Sequence, residues 1–156
     1  MPEPLLDIRR LSHPSAEDLE LLARLDHEAF GDTGLRPYDL GLMARAGVVL
    51  LAYLQGELVG GCQLMRMADE PHLFWVIGLY IRPEWRSRGL GKEFLLRVID
   101  LLPTLGASGL KLTVDVTNEA ARELYAKCGF VLLEEVPEFY GRGEDRHLMS
   151  LETARA

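Results

Sequence analysis

"EWRSRGLGKEF", residues 84–94, decides how this chain reads. Arg86, Arg88 and Lys92 surround Gly89 and Gly91. An apolar strand-like run, "HLFWVIGLYI" (72–81), precedes the stretch. A helix-like run follows, with Leu90, Phe94, Leu95, Val98, Leu101 and Leu102 on one face. A helix that begins in glycines exposes backbone N–H groups with no intrahelical acceptor. Its dipole adds roughly half a positive charge there, and the missing side chains let a ligand reach the backbone. The stretch therefore predicts a pocket for phosphate or pyrophosphate. Neither nucleotide motif fits: Glu93 follows Lys92 where a P-loop needs Ser or Thr, and Phe94 stands where a Rossmann turn needs its third glycine. On these residues alone, a plain helix start with scattered surface charge stays equally open.

Outward from the turn, the patterns give a strand at 5–11 and an amphipathic helix at 16–30. Ser15 and Asp18 form a capping box for that helix, and Leu19, Leu22, Leu25 and Ala29 follow at helical spacing. After a turn at 31–37 comes a short helix at 38–45. "VVLLAYL" (48–54) and "LVGGCQLMRM" (58–67) flank a tight turn as an antiparallel hairpin. The 72–81 strand, a helix at about 89–102 and a strand at 110–116 come next. A helix with Ala121, Leu124, Tyr125 and Cys128 is stopped by Gly129. Strands at 130–136 and 146–152 close the order. Hairpins combined with two strand–helix–strand crossovers predict an α/β (α+β) fold on one mixed sheet.

The chain has 156 residues, enough for one domain with a sizeable core. A net charge of -7 argues against nucleic acid or anionic membrane as partner and leaves a small anion at a local basic spot. Cys62 and Cys128 have no zinc spacing and read as buried small hydrophobes in a reducing compartment. No apolar run reaches the ~18 residues of a membrane span. "MPEPLLDIRR" lacks the form of a secretory signal. The expectation is a cytoplasmic chain without metal.

"RSRGLGK" resembles the R/Q-x-x-G-x-G/A turn of the GNAT superfamily of acyl-CoA-dependent N-acyltransferases, and "LYIRPEWR" resembles that family's fourth strand and Pro-bearing loop. "NEAARELYAKCGF" (118–130) resembles its second signature, N-x-x-A-x-x-L-Y-x-x-x-G-F. The element order is similar from residue 5 to 152, though the first 47 residues match only in helix pattern. "YGRGEDRHLM" (140–149) is similar to the hairpin tail of protein N-terminal acetyltransferases. The resemblance implies one domain over 1–156. Its sheet would be mixed and mostly antiparallel, with about seven strands, the fourth and fifth splayed, and about four flanking helices. It implies that the turn holds the pyrophosphate of acetyl-CoA. The backbone of Arg88, Gly89 and Gly91 would do most of the holding, with Ser87, Leu90 and Lys92 nearby and Arg86 at the rim. Leu79, Tyr80 and Ile81 would follow the pantetheine arm, and Asn118 would touch the cofactor.

The implied reaction is direct acetyl transfer from acetyl-CoA to a primary amine. A backbone N–H near Leu79 would steady the developing oxyanion. Tyr125, by the same resemblance, would protonate the departing sulfur; from spacing alone it reads as a core ring. The base positions common in the family fall on Thr113 and Ile77, which cannot serve. Asp115, on the face of Thr113, is the candidate base; His72, His27 and Glu28 are further candidates, each also readable as a surface or capping residue. Tyr140 would line the acceptor mouth, or its stretch is only a glycine-rich turn between edge strands; Trp75 and Trp85 would pack. Deprotonating a lysine amine costs roughly 4–5 kcal/mol at pH 7 against about 1 for an α-amine. Without a strong base, α-amines of peptides or proteins rank first as acceptors. Two other readings stay open: a non-catalytic acyl-CoA-binding module of the same fold, and transfer of a different acyl group. A monomer and a homodimer are both compatible.

Overall fold

The structure, a computed structural model, describes residues 5–153. The outermost ends of the expected 1–156 domain, and with them part of "MPEPLLDIRR", lie outside those residues. Seven strands form one sheet: β1 (Leu6–Arg10), β2 (Val48–Leu54), β3 (Glu57–Arg66), β4 (Leu73–Ile81), β5 (Gly109–Asp115), β6 (Val131–Val136) and β7 (Arg146–Glu152). Their order across the sheet is β1-β2-β3-β4-β5-β7-β6. Strands β4 and β5 are parallel, while β1–β2, β2–β3, β5–β7 and β6–β7 are antiparallel, which is the mixed sheet that the hairpins and crossovers predict. The described residues fall into two compact units.

The first unit runs to Met65 and resumes over Val76–Arg97. It holds β1, α1 (Ala16–Phe30), α2 (Pro37–Ala46), β2 and all but the last residue of β3. It also takes most of β4 and the first two turns of α3 (Leu90–Leu101). Helix α1 starts where the sequence places it, because Ser15 accepts from the Asp18 amide and Asp18 accepts from the Ser15 amide. Leu22 and Leu25 bury against Leu40 and Ala44 of α2, Val49 and Leu51 of β2, and Tyr80 of β4. The β2–β3 hairpin turns at Gln55 and Gly56, both at positive φ, the geometry that matches strand twist. Gly61 is required by close approach: a Cβ there would stand 2.8 Å from the Tyr80 hydroxyl oxygen.

The second unit comprises Arg66–Trp75 and the chain from Val98 onward. It holds the start of β4, the end of α3, β5, α4 (Glu119–Lys127), β6 and β7. The parallel ladder pairs Leu73, Phe74 and Trp75 with Gly109, Leu110 and Lys111. Its three pairs are short for strands of nine and seven residues. On its other side β5 pairs with β7 along its whole length. Val98, Leu102, Leu110, Leu112, Met149 and Leu151 are buried here. No residue of α4 is fully buried, and β6 is exposed along almost all of its length.

Candidate active site

The basic turn belongs to the first unit. A 3-10 turn at Pro83–Trp85 leads from β4 into Arg86–Gly89, and α3 begins at Leu90. Ser87 (φ 64) and Gly89 (φ 77) both take the left-handed conformation. Residues alternating into that region turn successive amides toward one concave side, an anion-binding arrangement. The first α3 bond across the turn runs from the Glu93 amide to the Gly89 carbonyl at 3.2 Å. The amides of Leu90, Gly91 and Lys92 therefore precede the helical ladder. Around Gly89 there is open space: nothing among the described residues lies within 4 Å of where a Cβ would stand. Arg86 donates from Nε to the Ile81 carbonyl at 2.9 Å, tying the turn to the end of β4. The Arg88 guanidinium lies 5.0 Å from the Trp85 ring centroid, so Trp85 packs beside the turn as expected.

At the end of β4 the Arg82 amide donates to the Val59 carbonyl of β3 at 2.8 Å. Strand alternation then turns the amides of Leu79 and Ile81 away from β3. Tyr80 faces the other layer. It is buried, meets Phe30 edge to face at 5.9 Å, and burial pushes its phenol pKa well up. Its side chain is thus a core group, whatever its backbone does.

Tyr125, on α4 in the second unit, is half-buried, and its ring meets Phe130 edge to face at 5.6 Å. Asn118 caps α4, its side-chain oxygen accepting from the Ala121 amide at 3.1 Å. The cofactor contact of Asn118 is what the family resemblance implies; its side-chain oxygen makes the capping bond.

Thr113 and Tyr140 meet at 2.9 Å through their hydroxyls, which brings the tail to β5. Phe139 stacks on Trp75 at 5.7 Å, and the Arg146 guanidinium lies 5.3 Å from the Tyr140 ring centroid. Asp115 ends β5 as a turn-forming carboxylate. It accepts from the Thr117 amide at 3.0 Å and hydroxyl at 2.8 Å, with Arg146 at 3.6 Å. The Thr117 bonds, helped by Arg146, hold its pKa below the usual carboxylate value, which makes it a weak base. His72 contacts Glu152 at 3.1 Å. His27 and Glu28 lie in the first unit, on an open groove along α1 with Glu17, Glu20 and Arg24. Cys62 and Cys128 are both buried, as read from the sequence. Among the described residues no cluster of three or more metal-ligating side chains occurs, and no helix is long and apolar enough to cross a membrane.

Sequence patterning does not single out two buried titratable groups, Asp26 and His147. Asp26, 1% exposed, accepts from the Leu35 amide at 2.6 Å and from Gln63 at 3.4 Å. Its signal was present: it follows Leu25 and stands four residues after Leu22, on the apolar stripe of α1. His147 is buried in β7, where alternation points it inward with Met149 and Leu151.

The sequence model of the acetyltransferase (GNAT) family matches residues 5–130. An N-alpha-acetyltransferase MAK3 of Arabidopsis thaliana is 27% identical over 103 residues, covering 65% of this chain and 54% of that protein. The [ribosomal protein bS18]-alanine N-acetyltransferase of Salmonella typhimurium is 35% identical over 101 residues, covering 65% and 60%. The matches thus span only about half the length of these curated relatives. The crystal structure of the ribosomal-protein-S18-alanine N-acetyltransferase from Escherichia coli shares the fold, with TM-score 0.79 at 20% identity over 97% of this chain and 96% of that one.

Proposed function

The chain belongs to the GNAT acetyltransferase family, and from that premise we propose that residues 1–156 act as one domain that transfers an acetyl group from acetyl-CoA to a primary amine. The observation that carries this reading is the open, left-handed turn at Ser87–Gly89 in front of α3, with basic residues at its rim. A cradle of free amides with no Cβ in the way fits a pyrophosphate. Acetyl-CoA supplies the activated acetyl group as a thioester.

The chain's own residues then have separate tasks. The amides of Arg88, Gly89 and Gly91 bind pyrophosphate oxygens, with Ser87, Leu90, Lys92 and Arg86 around them. The backbone of Leu79, Tyr80 and Ile81 holds the pantetheine arm, and the Leu79 amide, turned away from β3, donates to the carbonyl oxygen as charge grows on it. Tyr125 gives its phenolic proton to the leaving sulfur. Asp115 is the β5 carboxylate that takes up the amine's proton, and its low pKa makes it feeble in that task. A feeble base favours amines already partly neutral near pH 7. α-Amines therefore suit this site better than lysines, in keeping with the two relatives named for N-alpha and alanine acetylation. The setting proposed for this work is the cytoplasm.

Tyr125→Phe tests the reading, because it keeps the ring against Phe130 and removes only the hydroxyl. With an α-amine acceptor, kcat and kcat/KM should fall together by ~10²–10⁴-fold. Calorimetric affinity for acetyl-CoA should stay within about twofold, since uniform binding is untouched. A kcat within about threefold of wild type would remove Tyr125 from the mechanism.

A further inference from the structure

Helix α4 carries Tyr125 but buries none of its residues fully. Its start is fixed by the Asn118 cap, and its end by the Phe130 amide, which donates to the Tyr125 carbonyl at 3.1 Å. Arg122 stands one turn before Tyr125, on the same helix face. It donates from Nη1 to His147 Nε2 at 3.2 Å, a side-chain tie from the middle of α4 to β7. Strand β7 is paired on both sides, so the tie has a rigid anchor.

A guanidinium can only donate. Nε2 of His147 therefore carries the lone pair, and the ring proton sits on Nδ1. Nδ1 is buried and has no hydrogen-bond partner among the described residues. A second proton, on Nε2, would aim an N–H at the guanidinium and set two cations against each other. The bond exists only while the imidazole is neutral. Arg122 faces the ring from α4, with Glu119 one turn earlier. Glu135 of β6 stands directly opposite His147 in the ladder, and β5 offers Val114. Asp115, next to Val114, points to the other face of β5.

We propose that Arg122 and His147 form a clasp that positions α4, and with it Tyr125, and that protonation of His147 opens it. The clasp rests on the reading of Tyr125 as the proton donor. Both members are positioning residues that act through α4.

The test is a pH–rate profile of wild type, His147→Gln, His147→Leu and Arg122→Met. A glutamine oxygen can accept from Arg122 and does not titrate. His147→Gln should keep kcat near pH 8 and lose the fall in kcat expected of wild type as the solution is acidified. His147→Leu and Arg122→Met should lower kcat ~10-fold near pH 8, with the KM for acetyl-CoA within about twofold. An unaltered acid limb in His147→Gln, or near-wild-type kcat in the other two, overturns the clasp. If wild type transfers acetyl to no amine, the Tyr125 reading fails on its own, and hydrogen exchange decides. Amides of Glu119–Lys127 should exchange faster, relative to their intrinsic rates, on acidification in wild type but not in His147→Gln. Equal protection in both overturns the clasp. Should His147→Leu not fold, nitrogen NMR of the wild-type ring serves, and a protonated Nε2 near pH 8 overturns it.

Discussion

Asp26 shows how a single side chain changes the stability of this protein with pH. Burial raises its pKa from the ordinary 3.8, against the lowering effect of the Leu35 amide and Gln63. The folded state therefore holds the Asp26 proton more tightly than the unfolded state does. Its contribution to stability is full below the ordinary value and is lost as pH rises through the raised folded value. Gln63 adds to the cost, because its Oε1 is buried with no hydrogen-bond partner among the described residues. Asp26→Asn answers both problems. The substituted side chain can accept from the Leu35 amide through its oxygen, and its NH₂ group can donate to Gln63 Oε1 once the Gln63 side chain turns over. The variant should be more stable than wild type at neutral pH by ~1 kcal/mol, and the gain should shrink as pH falls toward ~4. Thermal melts across that range check this, and a variant several degrees less stable at pH 7 would show that the ionised carboxylate is what the fold needs.

At the scale of elements, the turn before α3 and helix α4 carry the proposed chemistry by different means. The turn works through backbone conformation. Gly89→Val meets no neighbour, but a β-branched residue at φ 77 is strained by ~1–3 kcal/mol. The turn should relax and redirect its amides. Calorimetry should show acetyl-CoA affinity reduced ~10-fold or more with the fold retained. Unchanged affinity would detach the turn from the cofactor. Helix α4 works through its face, and its lack of full burial explains why a polar tie such as Arg122–His147 can govern it. The sequence patterns located both elements to within one or two residues, because glycine, capping residues and 3.6-residue periodicity act locally. They could not place the tie: Arg122 and His147 are 25 residues apart, and only the β5–β7–β6 register turns His147 under α4.

For the whole molecule, net charge and local charge pull in opposite directions. A net charge of -7 repels a polyanion at long range, while Arg86, Arg88 and Lys92 attract one at the turn. Raising ionic strength from about 50 to about 500 mM shortens the Debye length to a few ångströms and screens the long-range repulsion first. Affinity for acetyl-CoA should therefore fall by less than about tenfold, unlike the steep loss of a nucleic-acid binder. Equilibrium titrations at several salt concentrations decide it. The amino-acid sequence by itself determined the elements, their order, the mixed sheet and the glycine-bearing turn before α3, since each follows from hydrophobic period or backbone freedom within a short window. It also determined which residues resemble the family's signatures. Tertiary structure alone decided which polar side chains meet across the fold. Thr113 meets Tyr140, Arg122 reaches His147, and Asp26 lies buried against Gln63. The physical reason is that such distant partners, and the desolvation that comes with them, are set by what folds against a residue, whereas caps and tight turns such as those at Asn118 and Asp115 are local.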